Sequence, residues 1–166
     1  MTQMRTKPDS RGFSLVEIMV AVGIIVSVVT AAAGAWQLYF KVLHASADQT
    51  QAAMITEEAA EALNFLRDSG WSAYITPHAL DTAYYLQWDG DNYSLSSLRV
   101  EMTGGYATEI AFKEVLRDAS SNIITGGGVG VPDPRSRRAF ITVTPIDDAG
   151  KILMQSEMLL HDFFNN

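Results

Sequence analysis

The feature that most constrains this chain is a run of 24 residues, Phe13 to Trp36 (FSLVEIMVAVGIIVSVVTAAAGAW), whose single charged residue is Glu17. At 1.5 Å per residue a helix of that length spans roughly 36 Å, enough to cross a bilayer. The run is therefore read as a membrane-inserted helix. The twelve residues before it, MTQMRTKPDSRG, carry Arg5, Lys7 and Arg11 against Asp9, and Pro8 and Gly12 disfavour regular structure there. Only Lys41 follows the run closely. The excess of basic residues on its N-terminal side places the N-terminus in the cytoplasm and the rest of the chain outside.

Past the greasy run, Gln37 to Asp68 contains no proline or glycine and is rich in Ala, Glu, Gln and Leu, so the helix is expected to continue. Its pattern becomes amphipathic. Ala52, Ile55, Ala59, Leu63 and Leu66 recur at three- and four-residue steps, while Glu57, Glu61, Asn64 and Asp68 fall elsewhere, the arrangement of a helix lying on a core. Gly70 marks the stop. One helix from Phe13 to Asp68 would be roughly 84 Å long, far beyond an ordinary globular helix, and needs an external partner.

The remainder reads as antiparallel sheet after an irregular stretch around Pro77. Tyr84 to Trp88 and Tyr93 to Leu98 flank Asp89-Gly90-Asp91-Asn92, a hairpin turn signal. Thr108 to Leu116 alternates, and Ala139 to Pro145 and Lys151 to Leu160 flank a second turn, Asp147-Asp148-Ala149-Gly150. The run Gly126 to Pro134 (GGGVGVPDP) is expected to be loop.

With 166 residues, 48% apolar and 19% charged, the chain suits one domain with a buried core plus the greasy segment. Its net charge is −7; without residues 1 to 12, nine basic and eighteen acidic residues leave −9. No nucleic-acid partner is expected, because phosphate binding needs a concentrated basic surface. The one dense basic cluster, Arg135, Arg137 and Arg138, is read as a solvated loop. Cysteine is absent, which excludes disulfides, thiol catalysis and cysteine-ligated zinc.

Other motifs fall short of a site. His44, His78 and His161 lie far apart without a regularly spaced carboxylate or second histidine, so they are read as surface residues and no metal is assigned. The Asp89 to Asn92 turn offers oxygen ligands but lacks the twelve-residue loop with a terminal Glu of a calcium hand. It is read as a turn, with calcium at Asp89 and Asp91 left open. Gly126 to Gly130 lacks the Gly-Lys-Ser ending and the following helix of a phosphate loop. Ser94 to Ser97 lacks the flanking glycines of a nucleophile elbow. No catalytic residue and no cofactor are assigned.

Four features coincide near the N-terminus: the basic leader, Arg11-Gly12, Phe13-Ser14-Leu15-Val16-Glu17, and the apolar helix. Here the chain resembles the type IV pilin superfamily, closely over about 25 residues. The resemblance implies that a prepilin peptidase removes residues 1 to 12 after Gly12 and N-methylates Phe13. A glycine leaves the scissile backbone unhindered. Glu17, the fifth mature residue, would neutralise the Phe13 ammonium of a neighbouring subunit and set the filament register; a carboxylate in a membrane helix costs roughly 2 kcal/mol or more and needs such a partner. By the same resemblance Gly34 is a position where the helix could unwind on packing into the filament, and Gly23, Ser27, Thr30 and the Ala31 to Ala33 run allow close helix approach; the alternative is that such residues are simply common in membrane helices.

The expected organisation is a leader at 1–12, a transmembrane and assembly helix at 13–36, its amphipathic continuation at 37–68 and a globular head at 69–166. The fold class is α+β, a long N-terminal helix packed on an antiparallel sheet of about four strands. The function read from these residues is a non-catalytic filament subunit, a minor pilin of a type IV pilus, with a pseudopilin of type II secretion as the alternative. The missing disulfide loop of many major pilins favours either over a major pilin. Family partners are the prepilin peptidase, other pilin subunits and the membrane platform protein, with the assembly ATPase acting from the cytoplasm. Localisation would be the bacterial cytoplasmic membrane, then a surface or periplasmic filament. Two competitors remain: an exported domain freed by signal peptidase at Ala31-Ala32-Ala33, with a mature terminus at Gly34, and a membrane-anchored binding or catalytic module that retains Met1.

Overall fold

The computed structural model describes residues 14–124 and 128–164. One helix, α1 (Leu15–Ser69), is followed by a single π-helical turn (Trp71–Ile75) and five strands: β1 (Ala83–Trp88), β2 (Tyr93–Ser96), β3 (Tyr106–Arg117), β4 (Val131–Pro145) and β5 (Met154–His161). The architecture is α+β, with one strand more than expected. The chain divides into two compact units after Ala45, and α1 runs unbroken through both.

In the unit from Ser46 onward, α1 buries Ala52, Ile55, Thr56, Ala59, Ala62, Leu63 and Leu66, the stripe that the three- and four-residue steps anticipate. Three of the seven are alanines, which put little side-chain bulk between the helix and the sheet. Where a hydroxyl must be buried, Thr56 turns its Oγ1 back to the Ala52 carbonyl at 2.8 Å, so no polar atom is left unsatisfied. Gly70 ends the helix with φ of 153°, a backbone that side-chain-bearing residues rarely adopt. Trp71 and Ile75 then close the end of the core.

The sheet is antiparallel throughout, in the order β2-β1-β3-β4-β5. Ile110 and Phe112 of β3, Ala139 and Ile141 of β4, Leu86 of β1 and Leu160 of β5 meet α1 in one cluster. Alternate residues form the outer face, where charged and polar groups pair within the sheet. There Arg138 meets Glu157 at 3.0 Å, Lys113 lies 5.0 Å from the centre of the Phe140 ring, and Tyr85 donates to Glu109. A smaller cluster, Ala52, Ile55, Tyr106 and Val143, continues the core along α1. It lies beside the Gly104-Gly105 turn, where a Cβ on Gly104 would stand 2.5 Å from the Gln51 amide nitrogen.

Both hairpin turns form. Asp89 accepts from the backbone N–H of Asp91 and Asn92, and these bonds lower its pKa. Asp148 accepts from Gly150 in the same way, although β5 starts at Met154, later than the expected Lys151.

The larger correction is β4. Val131 to Pro134, expected as loop, belong to this strand, and so do Arg135, Arg137 and Arg138, expected as a solvated loop. The strand survives two prolines because the ladder is irregular there: Glu114 pairs with Arg137 and Leu116 with Pro132, so the intervening β4 residues bulge out of register. Within the bulge the Asp133 carboxylate accepts the Arg135 N–H at 3.0 Å, replacing a ladder bond.

Candidate functional site

Gly12 and Phe13 lie outside the described residues. The described part of the N-terminal unit begins with Ser14, whose carbonyl accepts from the N–H of Glu17 and Ile18 at 2.9 and 3.2 Å and opens α1. Glu17 therefore stands in the first helical turn, where the unpaired N–H groups favour a negative charge. Ser14 and Glu17 have the spacing of a capping box. Neither side chain makes that bond, and the Glu17 carboxylate has no partner among the described residues.

The surface that follows is apolar on every side of the helix. Leu15, Val16, Ile18, Met19, Val20, Val22, Ile24, Ile25, Val26, Val28 and Val29 are each between 53 and 74% exposed. A helix that is apolar all round requires lipid or other protein around it. Its hydroxyls do not contradict this: Ser27 donates to the Gly23 carbonyl and Thr30 to the Val26 carbonyl, both at 2.8 Å, so neither presents an unmet polar group. This segment is long and apolar enough to cross a membrane. Gly23 and Gly34 sit within unbroken helix, and a Cβ at either would meet no other atom within 4 Å.

Residues missed in the sequence lie at the far end of this surface. Trp36, Tyr39 and Phe40 form an aromatic cluster, with the Trp36 and Phe40 ring centres 5.4 Å apart and nearly perpendicular. The exposed apolar surface continues past Trp36 through Leu38, Val42 and Leu43. Amphipathic aromatic rings concentrate where a membrane meets water, and Trp36-x-x-Tyr39-Phe40 followed by Lys41 was the available signal.

The head places the remaining candidates in structural roles. His44 is exposed on α1, with Nδ1 2.8 Å from the Phe40 carbonyl. His78 and His161 are half-buried, against the expectation of surface histidines. Burial lowers the His78 pKa, and its ring lies edge-on to Tyr84 at 4.5 Å. Arg137 spans from β4 to the carbonyls of Ile75, Thr76 and His78, pinning the segment after the π-helical turn to the sheet. Arg135 donates to the Asp162 carbonyl. With Arg138 on Glu157, each guanidinium of the basic cluster is held by the chain's own acceptors.

At the β4 bulge the fold assembles a group the sequence does not announce: Asp133, Ser136, His161 and Arg117. Arg117 Nε donates to Asp133 at 2.6 Å, Ser136 donates to the same oxygen at 2.7 Å, and His161 Nδ1 lies 2.8 Å from the Ser136 oxygen. Burial alone would raise the Asp133 pKa. The bonds from Ser136, Arg117 and the Arg135 N–H, with the Arg117 charge, bring it down to about 2. The single Ser136 proton is thus committed to an ionised carboxylate, so His161 must donate to Ser136 through an Nδ1–H. A serine that is 2% exposed and accepts from its histidine is not an activated nucleophile. The group is a clamp on the bulge.

Residues 7–33 match the family model of the prokaryotic N-terminal methylation motif. No curated protein and no solved structure matches the chain.

Proposed function

From this methylation motif, which is the prepilin signature of type IV pilins and pseudopilins, we propose that the chain is a minor pilin. In this reading a prepilin peptidase cuts after Gly12, methylates the new Phe13 terminus, and leaves a subunit that polymerises through α1. The observation that carries the proposal is the continuity of the motif with an exposed helix that is apolar on all sides and has one carboxylate, Glu17, near its start. That helix is held by lipid before assembly and by neighbouring helices afterwards. Glu17 gains its counter-charge only in the filament, from the Phe13 ammonium of the next subunit. Gly34 is the position where α1 yields on packing, since a residue without a Cβ gives up the least helical stability there.

The partners are other pilin subunits, the prepilin peptidase and the membrane platform protein. The chain is anchored in the cytoplasmic membrane with residues 1–12 inside and the head outside. A type II secretion pseudopilin remains the alternative; absence of a cysteine-bridged C-terminal loop suits both.

N-terminal sequencing and mass spectrometry of the protein recovered from cells test the reading. The expected terminus is methylated Phe13, and Gly12→Val should leave an uncut precursor. A mature chain beginning at Gly34, or one retaining Met1, would overturn it.

A further inference from the structure

We propose that the groove between α1 and the β1–β2 hairpin binds a cationic side chain, lysine or arginine, carried by a partner polypeptide. The groove holds about 290 Å³ and is lined by Glu61, Ala62 and Phe65 of α1, Trp88 at the end of β1, Asp91 in the turn and Tyr93 at the start of β2. That volume lies at the low end for a small-molecule site and suits a side chain rather than a cofactor. It lies wholly within the unit from Ser46 onward, so the inference does not depend on the chain forming filaments.

Two large aromatic side chains stand beside the groove half in water, Phe65 at 49% and Trp88 at 50% exposure, although the core residues Leu66 and Ala62 lie only one and three positions from Phe65 on α1. Trp88 and Tyr93 are cross-strand partners with ring centres 4.7 Å apart and planes inclined by 51°, forming an angled aromatic wall. Tyr93 is held in place by donating its hydroxyl to Glu58 at 3.2 Å. Aromatic walls of this kind attract cations through the negative faces of the rings.

The charges select the same ligand. Glu61 and Asp91 are both exposed, and their carboxylates make no hydrogen bond or ion pair among the described residues. Burial, together with the charges of Glu58 and Glu61, raises the Tyr93 pKa, as a negative local potential should. The charged groups lining the groove are acceptors only, and the Tyr93 proton is already given to Glu58. A neutral sugar would bring no charge to balance the two carboxylates. An ammonium or guanidinium brings donors alone and a compensating charge.

The test titrates the full chain in detergent micelles with the blocked peptide acetyl-Gly-Arg-Gly-amide, following the indole N–H signal of Trp88 by NMR. The citrulline peptide, equal in shape and uncharged, is the control, and maltose is titrated in parallel. Saturable shifts with the arginine peptide are expected, weakened about tenfold with citrulline and again about tenfold in Glu61→Gln/Asp91→Asn. Those two positions are exposed, so the variant keeps its fold, and an unchanged spectrum of the core strands verifies it. The proposal is overturned by equal affinity for the citrulline peptide, by undiminished affinity in the double variant, by absence of a saturable shift, or by saturation with maltose instead.

Discussion

Leu63 offers the sharpest test of how the head is held together. It is fully buried on α1 and packs in the cluster formed by Leu66, Trp71, Ile110, Phe112 and Ile141. Truncation to alanine removes its transfer free energy and leaves a cavity against a sheet that cannot follow, for a cost of about 3 kcal/mol. With a urea dependence of about 1.5 kcal/mol per molar, the unfolding midpoint should fall by about 2 M. Tryptophan fluorescence is a suitable reporter. Trp71 is 7% exposed, whereas Trp36 and Trp88 are already 64 and 50% exposed, so the change on unfolding comes mainly from the core. Met54→Ala is the control on the same helix; this side chain is 64% exposed, and its loss should move stability by no more than about 0.5 kcal/mol. Leu63→Asp goes further, since it buries a carboxylate with no partner, and should leave the head unfolded in water. If Leu63→Ala and Met54→Ala share a midpoint, the helix does not bury the face described.

Three further outcomes are expected. Thr108 is fully buried on β3 and its hydroxyl has no partner, so Thr108→Val should raise stability by about 1 kcal/mol, and a lower urea midpoint would refute this. Asp133, held at about 2 and hence below its ordinary value of 3.8, favours the folded state above pH 4 and loses that contribution as the pH falls through 2. After allowance for screening near the surface this amounts to about 1 to 2 kcal/mol, and Asp133→Asn should lack that part of the acid limb; identical pH profiles would count against the clamp. In the filament reading, Glu17→Leu should insert into membranes at least as well as wild type, because it removes a carboxylate costing roughly 2 kcal/mol in the bilayer. It should nonetheless be depleted from sheared filaments, and equal incorporation at a shaft position would end the proposed pairing with Phe13.

The fold was legible where its signals are local. The buried stripe on α1 follows from the spacing of Ala52, Ile55, Ala59, Leu63 and Leu66, and the first hairpin follows from Asp89-Gly90-Asp91-Asn92, whose side chain supplies the turn's own hydrogen bonds. The first part of β4 was hidden because Pro132, Pro134 and three arginines are loop-like by every local measure. They enter the sheet through long-range partners: Arg117 on Asp133, Asp162 under Arg135, and the carbonyls of residues 75, 76 and 78 around Arg137. A charge in a strand reads as solvent when its acceptor is not adjacent in sequence. Thr108 is the opposite case, a buried polar residue in an ordinary strand whose unmet hydroxyl becomes apparent only from the packing around it.

The two candidate sites differ in legibility for the same reason. Glu17 stands out in the sequence because an apolar run is itself the background against which one carboxylate is conspicuous, whatever surrounds it later. The groove has no such background. Phe65 falls on the polar side of an amphipathic helix, Trp88 ends a strand and Asp91 sits in a turn weighed only for calcium, and none of the three segments points to the others. Only the packing of α1 on the sheet, in which Ala59 and Ala62 are buried, brings together Trp88 and Tyr93 of the β1–β2 hairpin with Phe65 and Glu61. A bulky residue in place of Ala62 should therefore displace the hairpin wall and widen the groove while leaving the N-terminal half of α1 untouched, because that half makes no use of the packing that builds the groove.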